Sequence, residues 1–199
     1  DDFDRWLPSA VRVHVNRMYS PPTIPSNELD IDRLQAYGDH IEDTARTMAQ
    51  VPIDVMAFGC TSASFLNGWG YDEKIVNLIK EVSGGVDTVA TARAVVDALR
   101  EVGAKKIAAC SPYPPEINQR LRQYYTDAGF EIVNFEAVNH QNYPMDYNEF
   151  PPEVAGNLAR SVDKAEADAI FISCTAFKGA AESIDELEES TGKPVITSN

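Results

Sequence analysis

Lys106-Ile107-Ala108-Ala109-Cys110 is a short apolar run, Pro114-Pro115 follows almost at once, and Gly129 stands just before the next apolar run. The run has the length of a strand. A proline pair presets the backbone for a first helical turn, and glycine readily takes the left-handed conformation that ends a helix. Glu131 to Val138 then reads as a second strand. Strand, helix and strand in such close succession make a βαβ unit, which joins parallel strands through a right-handed crossover.

The alternation continues in both directions. Towards the C terminus, Pro151-Pro152 opens a helix to about Ala165, Asp168 to Ser173 is a buried strand, Ile184–Ser190 closes a short helix and Pro194–Thr197 is a last strand. Towards the N terminus, Thr91 to Val102 is a helix stopped by Gly103, Val86–Val89 is extended, Tyr71 to Val82 is a helix, and Ile53 to Phe58 is a strand expected to be covered on both faces. Further back, Ile31, Leu34, Tyr37, Ile41, Ala45 and Met48 recur at three and four as one helix. Val11-Arg12-Val13-His14-Val15 alternates as a half-buried strand does, and Asn139 to Phe150 is a polar loop. The pattern predicts an α/β fold with parallel sheets flanked by helices, whose sites lie beyond the carboxyl ends of the strands.

The chain has 199 residues, 44% of them hydrophobic and 24% charged, which suits one domain or two small halves sharing a core. A net charge of −14 leaves no basic face for a nucleic acid. No stretch approaches the roughly 18 apolar residues of a membrane span, and the opening residues lack the pattern of a secretory leader, so none is expected. Three well-separated cysteines (Cys60, Cys110, Cys174) support neither a disulfide framework nor a metal knuckle. Free thiols fit a reducing compartment, so the expected location is the cytoplasm.

Two strand ends look alike. Asp54-Val55-Met56-Ala57-Phe58-Gly59-Cys60-Thr61-Ser62 and Asp168-Ala169-Ile170-Phe171-Ile172-Ser173-Cys174-Thr175-Ala176 share Asp, an apolar run, a small residue and Cys-Thr, 114 positions apart. The repeat suggests two related halves, whose cysteines would face each other across one cleft. Backbone N–H groups after each cysteine are suited to hold a carboxylate, and are expected to lower the pKa of the thiol beside them. Cys110, followed by Ser111-Pro112, does not match the repeat and is expected in the core. His14, His40 and His140 form no Ser-His-Asp pattern, no Gly-x-Gly-x-x-Gly follows a strand, and Asp185–Glu189 reads as a solvated helix face.

Gly59-Cys60-Thr61-Ser62-Ala63-Ser64, followed by Gly70-Tyr71-Asp72-Glu73, resembles the first cysteine motif of the maleate cis–trans isomerases, in the Asp/Glu racemase superfamily with the arylmalonate decarboxylases. Ser111-Pro112-Tyr113 with Asn118 is similar to the family's Pro-Tyr…Asn segment, Ile172-Ser173-Cys174-Thr175 to its second cysteine motif, and Pro194–Asn199 to the strand and Ser-Asn turn before its last helix. The resemblance implies two pseudo-symmetric lobes, roughly 1–95 plus the C-terminal end and 96–190, in a single racemase-like unit with no cofactor and no metal. It further implies that Cys60 is the nucleophile, Cys174 its acid/base partner and Tyr113 a donor to a substrate carboxylate. Thr61, Ser62, Thr175 and Ala176 would contact the substrate, as would Asn142 in the long loop, with Asn139 as its close rival. Family members begin with a strand that this chain starts beyond and end with a helix that it stops before, so the chain is expected to be a fragment. Ala63 stands where glycine is common, and Ala176-Phe177 where Asn-Leu is usual.

The activity implied is cis–trans isomerisation of a small enedioate such as maleate. Rival readings are a racemase using the same two sulfurs, an arylmalonate-type decarboxylase, which needs only the later cysteine, and a non-enzymatic dicarboxylate-binding protein. Cys60 argues against decarboxylation, since those enzymes usually carry glycine there. The expected partner is a small dicarboxylate, with neither nucleic acid nor membrane, and because superfamily members often pair, a homodimer is among the expectations.

Overall fold

The computed structural model describes residues 2–19, 31–139 and 149–199. The chain opens with α1 (Asp2–Trp6), α2 (Ile31–Gly38), α3 (Ile41–Met48), β1 (Val55–Phe58), α4 (Thr61–Phe65) and α5 (Tyr71–Val82). It continues through β2 (Asp87–Ala90), α6 (Thr91–Glu101), β3 (Lys106–Ser111), α7 (Pro115–Asp127) and β4 (Glu131–Ala137). The last elements are α8 (Glu153–Val162), β5 (Ala169–Ile172), α9 (Ile184–Thr191) and β6 (Val195–Thr197). Among the described residues the strands form a two-stranded sheet, β1-β2, and a four-stranded sheet ordered β4-β3-β5-β6, with every pairing parallel. This is the α/β architecture of parallel sheets flanked by helices.

The centre of the larger sheet is dry. Ile107 to Ser111 of β3 and all of β5 are buried, as parallel strands covered on both faces require. Ile107 pairs with Ala169 and Cys110 with Ile172, so both strands end at one edge of the sheet. Cys110 is wholly buried there, in the core as expected. Asp168 sets this register from outside: its Oδ2 accepts the N–H groups of Lys105 at 2.9 Å and Lys106 at 2.8 Å. Those two N–H groups hold the Asp168 carboxyl below the usual carboxylate range. A carboxyl depressed in the fold stabilises it fully above its unfolded pKa of about 3.9, and that stabilisation fades as pH falls through the lower folded value. Melting midpoints of Asp168→Asn and the parent are therefore expected to differ near neutral pH and to converge on acidification towards about pH 2.

A chain of rings links α4 and α7 to the larger sheet. Phe171 of β5 contacts Tyr125 of α7 at 4.8 Å between centroids, and Tyr125 contacts Tyr124 at 5.2 Å. Tyr124 meets Phe65 of α4 at 6.2 Å, and Phe65 meets Tyr113 at 6.0 Å. All five side chains are essentially removed from water. Such large apolar areas dominate core energetics, so α4 and α7 pack against the larger sheet as one dry wall.

Several expectations need correction. Val11 to Val15 is neither helix nor strand and pairs with no strand among the described residues, and Val15 is 66% exposed. Alternation reports only that a segment is able to bury one face, and no sheet edge here receives it. The helix expected from Ile31 to Met48 is two helices, broken at Asp39-His40 where the His40 N–H turns back to the Tyr37 carbonyl at 3.1 Å. Strand β1 is covered on one face: Met56 and Phe58 are buried while Val55 is 60% exposed. The C-terminal strand β6, expected with the first lobe, extends the larger sheet by pairing with β5, because Ile172 and Thr197 align there. The division into lobes stays an inference from the repeat.

Candidate functional site

Both repeat cysteines lie just past strand ends. Cys60 follows β1 and is the residue before α4, with an extended backbone at φ −133°. Strand β1 is anchored behind it by Thr91, whose hydroxyl donates to the Phe58 carbonyl at 2.8 Å. Ser64, fully buried, accepts the Ala92 N–H at 3.0 Å and donates to the Thr61 carbonyl at 2.8 Å. The turn bearing Cys60 is thus tied to the start of α6 from two sides. The Gly70–Glu73 motif lies at the start of α5, where buried Asp72 accepts the Gly70 N–H at 3.2 Å and the Arg93 Nε–H at 2.6 Å.

The Cys60 sulfur lies 3.7 Å from the Ser62 hydroxyl oxygen, with the N–H groups of Ala63 and Ser62 directed at it. These donors favour the thiolate, yet burial outweighs them and the thiol sits above its ordinary pKa. This corrects the expected lowering: α4 is a single five-residue turn whose few donors do not offset the lost hydration. Alkylation of Cys60 in the free protein is accordingly expected to keep accelerating with pH beyond the point, about 8.5, at which an ordinary thiol is half ionised. A rate already level at neutral pH would contradict it.

Cys174 follows β5 and is buried. Its φ is +110°, the one positive value at a non-glycine residue among the described residues. A backbone held there costs about 1–3 kcal/mol and persists only where the surroundings impose it. The Cys174 N–H donates to the Ser198 hydroxyl at 3.2 Å, and the Asn199 side-chain amide donates to the Thr175 carbonyl at 2.9 Å. Burial pushes the thiol up to about 12, against the N–H groups of Ala176 and Phe177 and the Tyr113 hydroxyl, which favour its thiolate. Cys60 lies close enough for its charge to push Cys174 further up.

Tyr113 is buried, and its hydroxyl faces both Ser173 and Cys174. Burial first, and then the Cys174 charge, keep the phenol protonated far above its usual range, so it acts as a donor. A buried clamp aims it. Ser111 Oγ donates to Asn118 Oδ1, the Asn118 amide donates to the Tyr113 carbonyl at 2.6 Å, and the Tyr113 N–H donates to Ser111 Oγ at 3.2 Å.

The structure therefore gathers Cys60, Thr61, Ser62, Tyr113, Cys174, Thr175 and Ala176 from three strand ends. Thr61 and Ser62 are buried in the first turn of α4, and Thr61 Oγ1 has no hydrogen-bond partner among the described residues. Thr175 and Ala176 are half-buried. Asn142 lies outside the described residues, as does His140; its rival Asn139 is exposed just past β4. His14 is exposed in the unpaired N-terminal segment, and His40 stacks edge-on against Tyr19 at 5.6 Å. Ser64, Ser111 and Ser198 stand inside the motifs read from the sequence but receive no role there, because their roles depend on contacts between distant segments. Among the described residues no three His, Cys, Asp or Glu side chains converge as metal ligands, and no helix is long and apolar enough to cross a membrane.

The sequence matches the arylmalonate decarboxylase family over residues 13–199. It is similar to a maleate isomerase of Geobacillus stearothermophilus, 24% identical over 170 residues that make up 83% of this chain and 67% of the relative. In structure it is similar to a cysteine-to-serine variant of the Nocardia farcinica maleate cis–trans isomerase with a covalently bound succinylcysteine intermediate. That match has a TM-score of 0.82 at 24% identity and covers 93% of this chain and 74% of the other. A cysteine-to-alanine variant of the Pseudomonas putida maleate isomerase, solved with maleate, gives 0.78 at 22% identity over 85% and 69% of the two chains.

Proposed function

The chain belongs to the arylmalonate decarboxylase family, and within it we propose a cofactor-independent cis–trans isomerase of a small enedioate, converting maleate to fumarate. The observation that carries this reading is the placement of two thiols just past the ends of β1 and β5, near enough for the charge of one to act on the other, with the Tyr113 hydroxyl against the second. A decarboxylase of the type weighed above needs only the later sulfur; a thiol at position 60 favours chemistry that uses both.

In the proposed reaction the half-buried Cys60 thiol first gives up its proton to solvent, and the thiolate adds to one vinylic carbon of maleate. The π pair moves to the neighbouring carbon and spreads into its carboxylate, where N–H groups beside Thr61–Ser62 and Thr175–Ala176 meet the developing charge. Cys174, held protonated by burial, lends its proton to that carbon and gives a succinyl thioether. The former double bond is now single and rotates. Cys174 then removes the proton, the pair re-forms the double bond, and the C–S bond breaks to release fumarate and the Cys60 thiolate. With a net charge of −14 the protein repels a dianion at long range, so local donors supply the binding, the unpartnered Thr61 hydroxyl among them.

The test is incubation with maleate in D2O, followed by proton NMR. Fumarate is the expected product. Deuterium entering the α-position of aspartate, with no fumarate, would replace the reading by a racemase. Carbon dioxide released from an arylmalonate, again with no fumarate, would replace it by a decarboxylase. Maleate binding without turnover of any of these acids would leave a binding protein.

A further inference from the structure

We infer that Ser198 and Asn199 are positioning residues for Cys174: they clasp its strained turn from both sides and so aim its sulfur at the cleft. The inference rests on the reading of Cys174 as the proton-handling thiol. Neither residue is assigned contact with the substrate; each acts through the backbone.

Ser198 follows β6 immediately and is itself buried. Its own N–H donates to the Ile172 carbonyl at 3.2 Å, one step beyond the last β5–β6 pair, so the β-ladder fixes its position. From there its hydroxyl accepts the Cys174 N–H at 3.2 Å. On the far side of the thiol, Asn199 Nδ2 holds the Thr175 carbonyl at 2.9 Å. The backbone between these two contacts is the one non-glycine stretch among the described residues with a positive φ, at Cys174 itself. Without the Ser198 hydroxyl, a buried N–H would lack its acceptor and the strained torsion would lack its brace. Relaxation of φ towards negative values would turn the sulfur away from Tyr113 and from the N–H groups of Ala176 and Phe177, which now surround it.

The experiment compares the parent with Ser198→Ala, Ser198→Thr and Asn199→Ala by two readouts. The first needs no substrate: methyl methanethiosulfonate labels the thiols, and mass spectrometry follows Cys174 with Cys60 of the same molecule as reference. Ser198→Ala is expected to speed labelling of Cys174 relative to Cys60 at least about fivefold, and Ser198→Thr, which keeps the hydroxyl, to restore the parental ratio. The second readout is kinetic: Ser198→Ala is expected to lower kcat about 10–100-fold with KM within about twofold, again rescued by Thr. Should Ser198→Ala fail to fold, Asn199→Ala, on the exposed side of the clasp, is expected to give about threefold faster labelling of Cys174. Unchanged labelling in Ser198→Ala and Asn199→Ala overturns the inference, and so does Ser198→Thr behaving like Ser198→Ala. A parent that makes no fumarate refutes the isomerase reading alone, because labelling still decides whether the clasp holds Cys174.

Discussion

Replacing Cys60 by serine is expected to lower fumarate formation from maleate by at least about 1000-fold and to leave the melting midpoint close to the parent's. A serine oxygen at this position would ionise far less readily than the thiol and is a poorer nucleophile towards an activated double bond. The surroundings already oppose charge there, since burial raises even the Cys60 thiol above its ordinary pKa. Structure should survive, because Ser and Cys differ little in volume and the site is half-buried beside the Ser62 hydroxyl. Cys174→Ser is expected to cost less, about 10²–10⁴-fold, as loss of a positioned proton donor does. It should also let an adduct accumulate on Cys60, visible by mass spectrometry. A Cys60→Ser variant within tenfold of the parent would end the covalent mechanism.

Gly179→Ala is expected to be the most damaging conservative change, destabilising the fold by more than about 4 kcal/mol in urea titration. Gly179 has φ +83°, and a Cβ built there would lie 1.9 Å from the Pro152 carbonyl oxygen, 2.6 Å from its carbon and 2.9 Å from the Pro152 Cα. All three are backbone atoms at the entrance to α8, so no rotamer change relieves the overlap. Either the loop after Cys174 or the helix start must move. Gly192→Ala is the control: φ is +69° but the space around it is open, so only the left-handed strain of about 1–2 kcal/mol remains. A loss below about 2 kcal/mol for Gly179→Ala would show that the contact yields more easily than its geometry implies.

The α/β architecture was legible because a proline pair, a terminating glycine and uninterrupted apolar runs all point to strand–helix–strand units. The cysteines were legible through their matching strand ends. Illegible were features fixed by partners far along the chain. Alternation in Val11–Val15 could not reveal that no strand receives it, and the apolar run of β1 could not reveal which face a helix covers. The sign of the Cys60 shift was misjudged because counting nearby N–H groups omits the water that burial removes. Ser64, Ser111 and Ser198 are ordinary serines in one dimension; their meaning comes from Ala92, Asn118 and Cys174, which only folding brings near.

The ring chain from α4 to the larger sheet also gives the molecule an optical signature. Trp69 sits 5.3 Å from Tyr124, under the Arg93 guanidinium at 4.3 Å from the indole, and Tyr124 leads on to Tyr125 and Phe171. Chromophores locked in fixed, chiral surroundings give near-ultraviolet circular dichroism, which vanishes when side-chain packing loosens while the backbone bands persist. The near-ultraviolet spectrum therefore reports whether α4 and the thiol before it are docked against α7 and the larger sheet, and the far-ultraviolet spectrum only whether the helices and strands persist. Slippage of α4 against the larger sheet would darken one window and leave the other unchanged.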